Sequence, residues 1–145
     1  MKPALTRTLR HAAAAAALAL VGATQAHAFE LTIEVSNAKP GTGTVNAAVY
    51  ADPADWMKDG RTVAASMVQA AEKTVLVFRG LAAGKVAVAL YQDENRNGKF
   101  DSNVVGVPVE RYGFSRNAQG RMGPPSFDDA AVDLQADTVI AVTLH

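Results

Sequence analysis

The chain has 145 residues, with 14 Lys and Arg, 14 Asp and Glu, 49% hydrophobic residues, 11 Gly, 6 Pro and no Cys. This is room for one domain of ordinary folded composition, and it excludes a disordered tail or a collagen-like fibre. Without cysteine there is no disulfide scaffold, thiol nucleophile, Cys-based zinc centre or lipidated N-terminal Cys.

Lys2, Arg7 and Arg10 precede an apolar run at residues 12–21, and Ala26-His27-Ala28 ends the segment with a small-x-small pattern. Residues 1–28 therefore read as a cleaved secretory signal, and residues 29–145 as a single domain in the periplasm or outside the cell. The uncharged stretch is well short of the roughly 20 apolar residues that a membrane span needs. The segment holds three basic residues and no acidic one, so the remainder carries 11 against 14 and a net charge of −3. Its basic residues are scattered without interleaved aromatics, which argues against nucleic acid and leaves a protein or glycan of the cell envelope as the expected partner.

Leu31, Ile33 and Val35 alternate with Thr32, Glu34 and Ser36, the period-two pattern of a strand with one buried face. Pro40-Gly41-Thr42-Gly43 breaks that strand, and a second at residues 45–50 is expected to pair with it as an antiparallel hairpin. Asp52-Pro53 closes the second strand, and one helical turn is expected around Trp56. Residues 63–72 fit a helix or a strand; the strand is favoured, with Ala65, Met67 and Gln69 on one side. Strands follow at residues 74–78 and 85–91, separated by a turn at residues 80–84. Residues 104–109 read as a short extended piece interrupted by Pro108, and residues 113–126 as a long loop. Residues 131–134 and 138–144 close the chain as strands. Seven or eight short strands at this spacing predict an all-β fold, an antiparallel two-sheet β-sandwich of immunoglobulin-like or transthyretin-like type.

The sharpest local feature is Asp93-Glu94-Asn95-Arg96-Asn97-Gly98-Lys99-Phe100-Asp101. Oxygen-bearing side chains occupy positions 1, 3, 5 and 9 with Gly at position 6, the order at the front of an EF-hand-type calcium loop. The candidate metal ligands are the side chains of Asp93, Asn95, Asn97 and Asp101 and the carbonyl of Lys99, with calcium as the cofactor. Position 12 is Val104 where a bidentate Glu is expected, which predicts weak affinity; Glu94 or Glu110 would have to complete the shell. The competing reading is that the Asx side chains bond the turn's own N–H groups.

Catalytic candidates are few. His145 is the one histidine after the signal, so a Ser-His-acid relay or a His-rich zinc centre is not expected. Glu110 with Asp128 or Asp129 is the carboxylate set to consider for glycoside hydrolysis, against a simpler role for the two aspartates in capping a turn. Ser115 beside Arg116 has no general base in sequence. Trp56, Tyr91, Phe100, Tyr112, Phe114 and Phe127 fit either the end of a small β core or an aromatic surface for carbohydrate. The leading expectation is a non-catalytic binding or structural module.

Four blocks in order, residues 84–91, residues 93–101, Gly106-Val107-Pro108-Val109-Glu110-Arg111-Tyr112-Gly113-Phe114-Ser115-Arg116-Asn117 and Pro125-Ser126-Phe127-Asp128-Asp129-Ala130, resemble the DUF2141 family of small exported bacterial proteins of unknown function. The resemblance implies an exported β-sandwich with the polar loop and the Gly-Phe-Ser segment close together. It implies no activity. Members often carry His where this chain has Gln92, so a metal-binding role at that position does not carry over.

Overall fold

A computed structural model describes residues 27–145; nearly all of the segment read as a signal lies outside the described residues. The described residues form eight strands, β1 (Ala28–Ser36), β2 (Thr44–Tyr50), β3 (Ala64–Gln69), β4 (Thr74–Ala82), β5 (Gly84–Asp93), β6 (Tyr112–Phe114), β7 (Val132–Leu134) and β8 (Thr138–Thr143), and one short α-helix, α1 (Phe127–Ala130). They make two sheets packed face to face, the predicted sandwich: β4-β1-β8, and β3-β2-β5-β6 with β7 also on β5.

The alternation in the sequence decides which face of each strand is buried. Leu31, Ile33 and Val35 of β1 and Leu76 and Phe78 of β4 meet Val45, Ala47 and Val49 of β2 and Val86, Val88 and Leu90 of β5 in one apolar interior. Thr32, Glu34 and Ser36 face out, as expected.

The hairpin expected between β1 and β2 does not form. β1 pairs with β4 and β8, whereas β2 pairs with β3 and β5 in the other sheet. Residues 37–43 instead carry the chain across the sandwich, with left-handed backbone at Asn37, Gly41 and Gly43. A Cβ on Gly43 would lie 1.8 Å from the Asp93 carbonyl oxygen, so only glycine lets this crossing pass so close to β5. Fully buried Gln92 secures it, accepting from Lys39 N–H at 2.8 Å and donating to the carbonyls of Lys39 and Thr42 at 2.9 and 2.6 Å.

One pair departs from the antiparallel expectation: β8 runs parallel to β1 from Leu31↔Thr138 to Ser36↔Thr143. Beyond it the chain leaves one sheet and touches the other, because Leu144 N–H donates to the Ser36 carbonyl while His145 and Tyr112 exchange backbone bonds of 2.9 and 3.2 Å. That stitches the two sheets along one edge.

β3 bears out the strand reading of residues 63–72, with Ala65, Met67 and Gln69 outward. Around Trp56 there is a run of successive i,i+3 turns and no helix, beginning at Asp55 N–H to Asp52 O. Residues 104–109 form no strand; only Ser102 and Pro108 make a bridge, because Pro108 has no N–H and the Asn103 side chain takes two others. Residues 113–126 are not all loop: β6 occupies the start, followed by a 3-10 turn at Ser115–Asn117. Ser126, rather than Asp128 or Asp129, caps α1, its hydroxyl accepting from Asp129 N–H and donating to the Asp129 carboxylate.

Candidate functional site

The loop at residues 93–101 leaves the end of β5. Asp93 is buried, and its two carboxylate oxygens accept the N–H groups of Asn97 and Gly98 at 3.1 and 2.8 Å. Asn95 Oδ1 accepts from Asn97 N–H and Asn97 Oδ1 from Lys99 N–H. The amide nitrogens of Asn95 and Asn97 meet on Asp101 Oδ2 at 2.7 and 2.8 Å. Arg96 and Gly98 sit in left-handed backbone, which closes the bend. The Asx side chains thus converge, and their oxygens satisfy the turn's own N–H groups.

Sequence reasoning did not anticipate how Glu110 holds this loop. Glu110 is buried, with its two oxygens accepting the N–H groups of Glu94 and Asp101 at 3.0 Å each. One carboxylate thereby pins both ends of the polar loop. Glu94, the other acid considered for the ion shell, faces Lys39 at 3.2 Å and Arg111 at 3.8 Å. Among the described residues, no group of three or more His, Asp or Glu side chains is placed to hold a metal ion. The separation of 9 and 16 residues between Glu110 and its partners left no local signal.

The other catalytic candidates are likewise engaged. Asp128 pairs with Lys85 at 3.2 Å and Asp129 closes the cap of α1. Buried Ser115 accepts the Val88 N–H and donates to the Ala130 carbonyl, so its hydroxyl continues the β5 ladder where β6 has ended. It is a tie between elements rather than a nucleophile.

Beside the loop, the outer face of the larger sheet forms a groove of about 820 Å³. Register explains its shape. Ala65, Ala48 and Ala89 stand side by side across β3, β2 and β5, next to Phe114 of β6, and Ala87 stands beside Tyr50. Alanine at these outward positions leaves a low floor. The neighbouring row, Met67, Asn46, Tyr91 and Tyr112, makes one wall, and Tyr50 with Met57 contributes to another.

Aromatic rings line or buttress these walls in a continuous chain. Centroids are 5.6 Å apart from Tyr91 to Phe100 and from Phe100 to Tyr112, then 5.9 Å to Phe114 and 6.0 Å to Trp56. Trp56 continues to Tyr50 at 5.2 Å and Phe127 at 6.0 Å, and its indole N–H donates to the Pro125 carbonyl. The two sequence readings of the aromatics therefore divide the set. Phe114 and Phe127 are buried in a second small core with Tyr50, Ala87 and Ala130, with Trp56 packed against it. Phe100 and Tyr112 remain exposed on the groove.

Polar groups are sparse here: Asn46, Asp59 and Lys99 line the groove, while Ser66, in register with inward-facing Ala47, turns its hydroxyl to the other face. Burial, and secondarily Asp93, Glu110 and Asp101, raises the pKa of Tyr91; burial and Asp59 raise that of Tyr50. Both phenols are therefore neutral donors across the physiological range. Such a site can press flat rings against a ligand and offer it a few hydrogen bonds, but it presents no activated nucleophile.

A family described as an uncharacterized protein conserved in bacteria (DUF2141) matches residues 33–141. No curated protein and no solved structure matches the chain.

Proposed function

The chain belongs to the DUF2141 family, and from that premise we propose that it is an exported, non-catalytic binding module of the cell envelope whose groove takes an oligosaccharide. Export, and with it a periplasmic or secreted location, rests on the sequence of residues 1–28. The observation that carries the ligand class is the groove of about 820 Å³ with exposed rings at Phe100 and Tyr112. Its volume lies in the range of about 300–1,000 Å³ used for small ligands, which bind against apolar walls and a few directional polar groups. A sugar ring has an apolar C–H face to lie on an aromatic ring, and hydroxyls for Asn46, Asp59 and Lys99. Screening the protein against peptidoglycan fragments and an oligosaccharide array tests the reading. Binding weakened at least about tenfold in Tyr112→Ala supports it; no binding to any glycan overturns it.

Calcium in the polar loop is the second reading, supported by the convergence of Asn95, Asn97 and Asp101 at 2.7–2.8 Å. To present oxygen to an ion, the two amides would have to turn over and give up the backbone N–H groups that their oxygens accept. Affinity on the order of 10⁻⁴ to 10⁻³ M follows. Calcium at about ten times that dissociation constant would stabilise the fold by roughly 1.4 kcal/mol. An unchanged melting temperature across calcium and EDTA titrations leaves the loop as an Asx-turn device alone.

A further inference from the structure

Asn97 is followed by Gly98, and no other asparagine of the chain precedes a glycine. An Asn-Gly pair is the dipeptide most open to cyclisation, because glycine has no side chain to shield its backbone nitrogen from the asparagine Cγ and bends at little cost. Both residues are exposed to water, and a Cβ built on Gly98 would meet nothing within 4 Å.

The hydrogen bonds of the bend fall on the atoms that such a reaction uses. The nucleophile is the Gly98 nitrogen, whose hydrogen is donated to Asp93 Oδ2 at 2.8 Å. The electrophile is Asn97 Cγ, and its oxygen Oδ1 accepts from Lys99 N–H at 2.9 Å, the position of an oxyanion donor. The leaving group is Asn97 Nδ2, which donates to Asp101 Oδ2 at 2.8 Å. Asp93 is buried, and its second oxygen accepts from Asn97 N–H at 3.1 Å, so the carboxylate is fixed against the reacting peptide. Bonds that only immobilised Asn97 would slow cyclisation. These also place a base on the nucleophile and a donor on the oxygen that gains charge.

We propose that Asn97-Gly98 is a self-modification site, at which the folded chain converts the Asn97 amide to a carboxylate with Asp93 as the base. The Gly98 nitrogen gives its proton to Asp93 as it bonds to Asn97 Cγ and closes a five-membered ring. The Cγ–Nδ2 bond then breaks, and Nδ2 leaves as ammonia with the proton relayed from Asp93. Water opens the succinimide at either carbonyl, leaving aspartate or isoaspartate at position 97. The sum is amide and water to acid and ammonia, with no oxidant, reductant or cofactor.

The product loses the amide that donates to Asp101 and sets a second negative charge beside that carboxylate. Like charges then separate two positions of the bend that the amide had held together. Lys99 and Phe100, the next side chains along the chain, line the groove, so the conversion is a one-way change at the groove's edge. The reaction does not depend on what the groove binds.

The test is a time course of the whole protein at neutral pH, read by peptide mass mapping, released ammonia and isoaspartyl methyltransferase labelling. The mass gain of amide-to-acid conversion is expected at position 97, with aspartate and isoaspartate both present and ammonia released in equal amount. A positioned base supplies about 10²–10⁴-fold in favourable geometry, so the folded protein should react at least about tenfold faster than the same protein in urea, and Asp93→Asn should slow it at least about tenfold. The comparison in urea needs no variant, so it stands even where Asp93→Asn weakens the fold. The proposal is overturned if position 97 keeps its amide in the folded protein, if the unfolded chain reacts as fast or faster, or if folded Asp93→Asn reacts like the wild type. Either of the last two results would mean that the bend restrains Asn97 rather than activating it.

Discussion

The inner and outer faces of the five-stranded sheet come from the same strands and differ by one residue of register. Inward positions of β2 and β5 carry Val45, Ala47, Val49, Val86, Val88 and Leu90, which fill the space against the smaller sheet. Outward positions carry Ala48, Ala65, Ala87 and Ala89 in the centre and aromatics at the rim. The inner face uses its side chains to exclude space. The outer face leaves space open, because a methyl floor sits well below Tyr50, Tyr91 and Tyr112 on the strands and Phe100 from the polar loop. A β-sandwich gains a binding surface here by making one face shallow, with the other left to hold the fold.

The strongest way to break this comparison is to damage the inner side. Leu76→Ala empties a buried position and should lower unfolding free energy by about 2–5 kcal/mol in denaturant titration, with glycan binding intact at temperatures where the protein remains folded. Next comes the loop clamp. Glu110→Gln replaces one of two accepting oxygens with a donor facing an N–H, and a loss of about 1.5–3 kcal/mol is expected. A change below about 0.5 kcal/mol would mean that Glu110 does not pin the loop.

A matched pair sharpens the contrast. Ala47→Leu points inward and should cost about 1–3 kcal/mol by overpacking, without direct effect on the groove. Ala48→Leu, one residue on, should leave stability within about 0.5 kcal/mol while filling the floor and abolishing ligand binding. Equal effects of the two on stability would contradict the difference between the faces.

The smallest effect is a titration. Tyr91 and Tyr50 both hold their protons above the ordinary value of 10.0. Above pH 10 the unfolded chain releases these protons first, so the native state binds more of them and stability falls as pH rises through that window. Below it the contribution is fully present. Tyr91→Phe should flatten the decline, read as unfolding free energy against pH; an unaltered slope would assign the decline to other groups.

The two-sheet fold was legible because Leu31, Ile33 and Val35, and the β-branched runs of β4 and β5, alternate clearly. Which strand joins which sheet was not, since Pro40 and Gly41 suit a hairpin and a crossing equally well. The crossing depends on Gln92, some 50 residues away from the turn it ties. The polar loop was visible as a bend, but alternating oxygens alone do not reveal whether they face an ion or the backbone. The groove escaped notice because Tyr91, Phe100 and Tyr112 become neighbours only through the β5–β6 pairing. One signal was present in the sequence: alanine, a poor strand former, recurs at outward positions 48, 65, 87 and 89 where β-branched residues would be favoured.

The most direct test of the groove as a sugar site is methyl spectroscopy of alanine-labelled protein titrated with the glycan selected in an array screen. Shifts concentrated at Ala48, Ala65 and Ala89, with Ala141 on the outer face of the smaller sheet unmoved, are the expected result. Ligand binding that leaves those three methyls unperturbed would place the site elsewhere and contradict it.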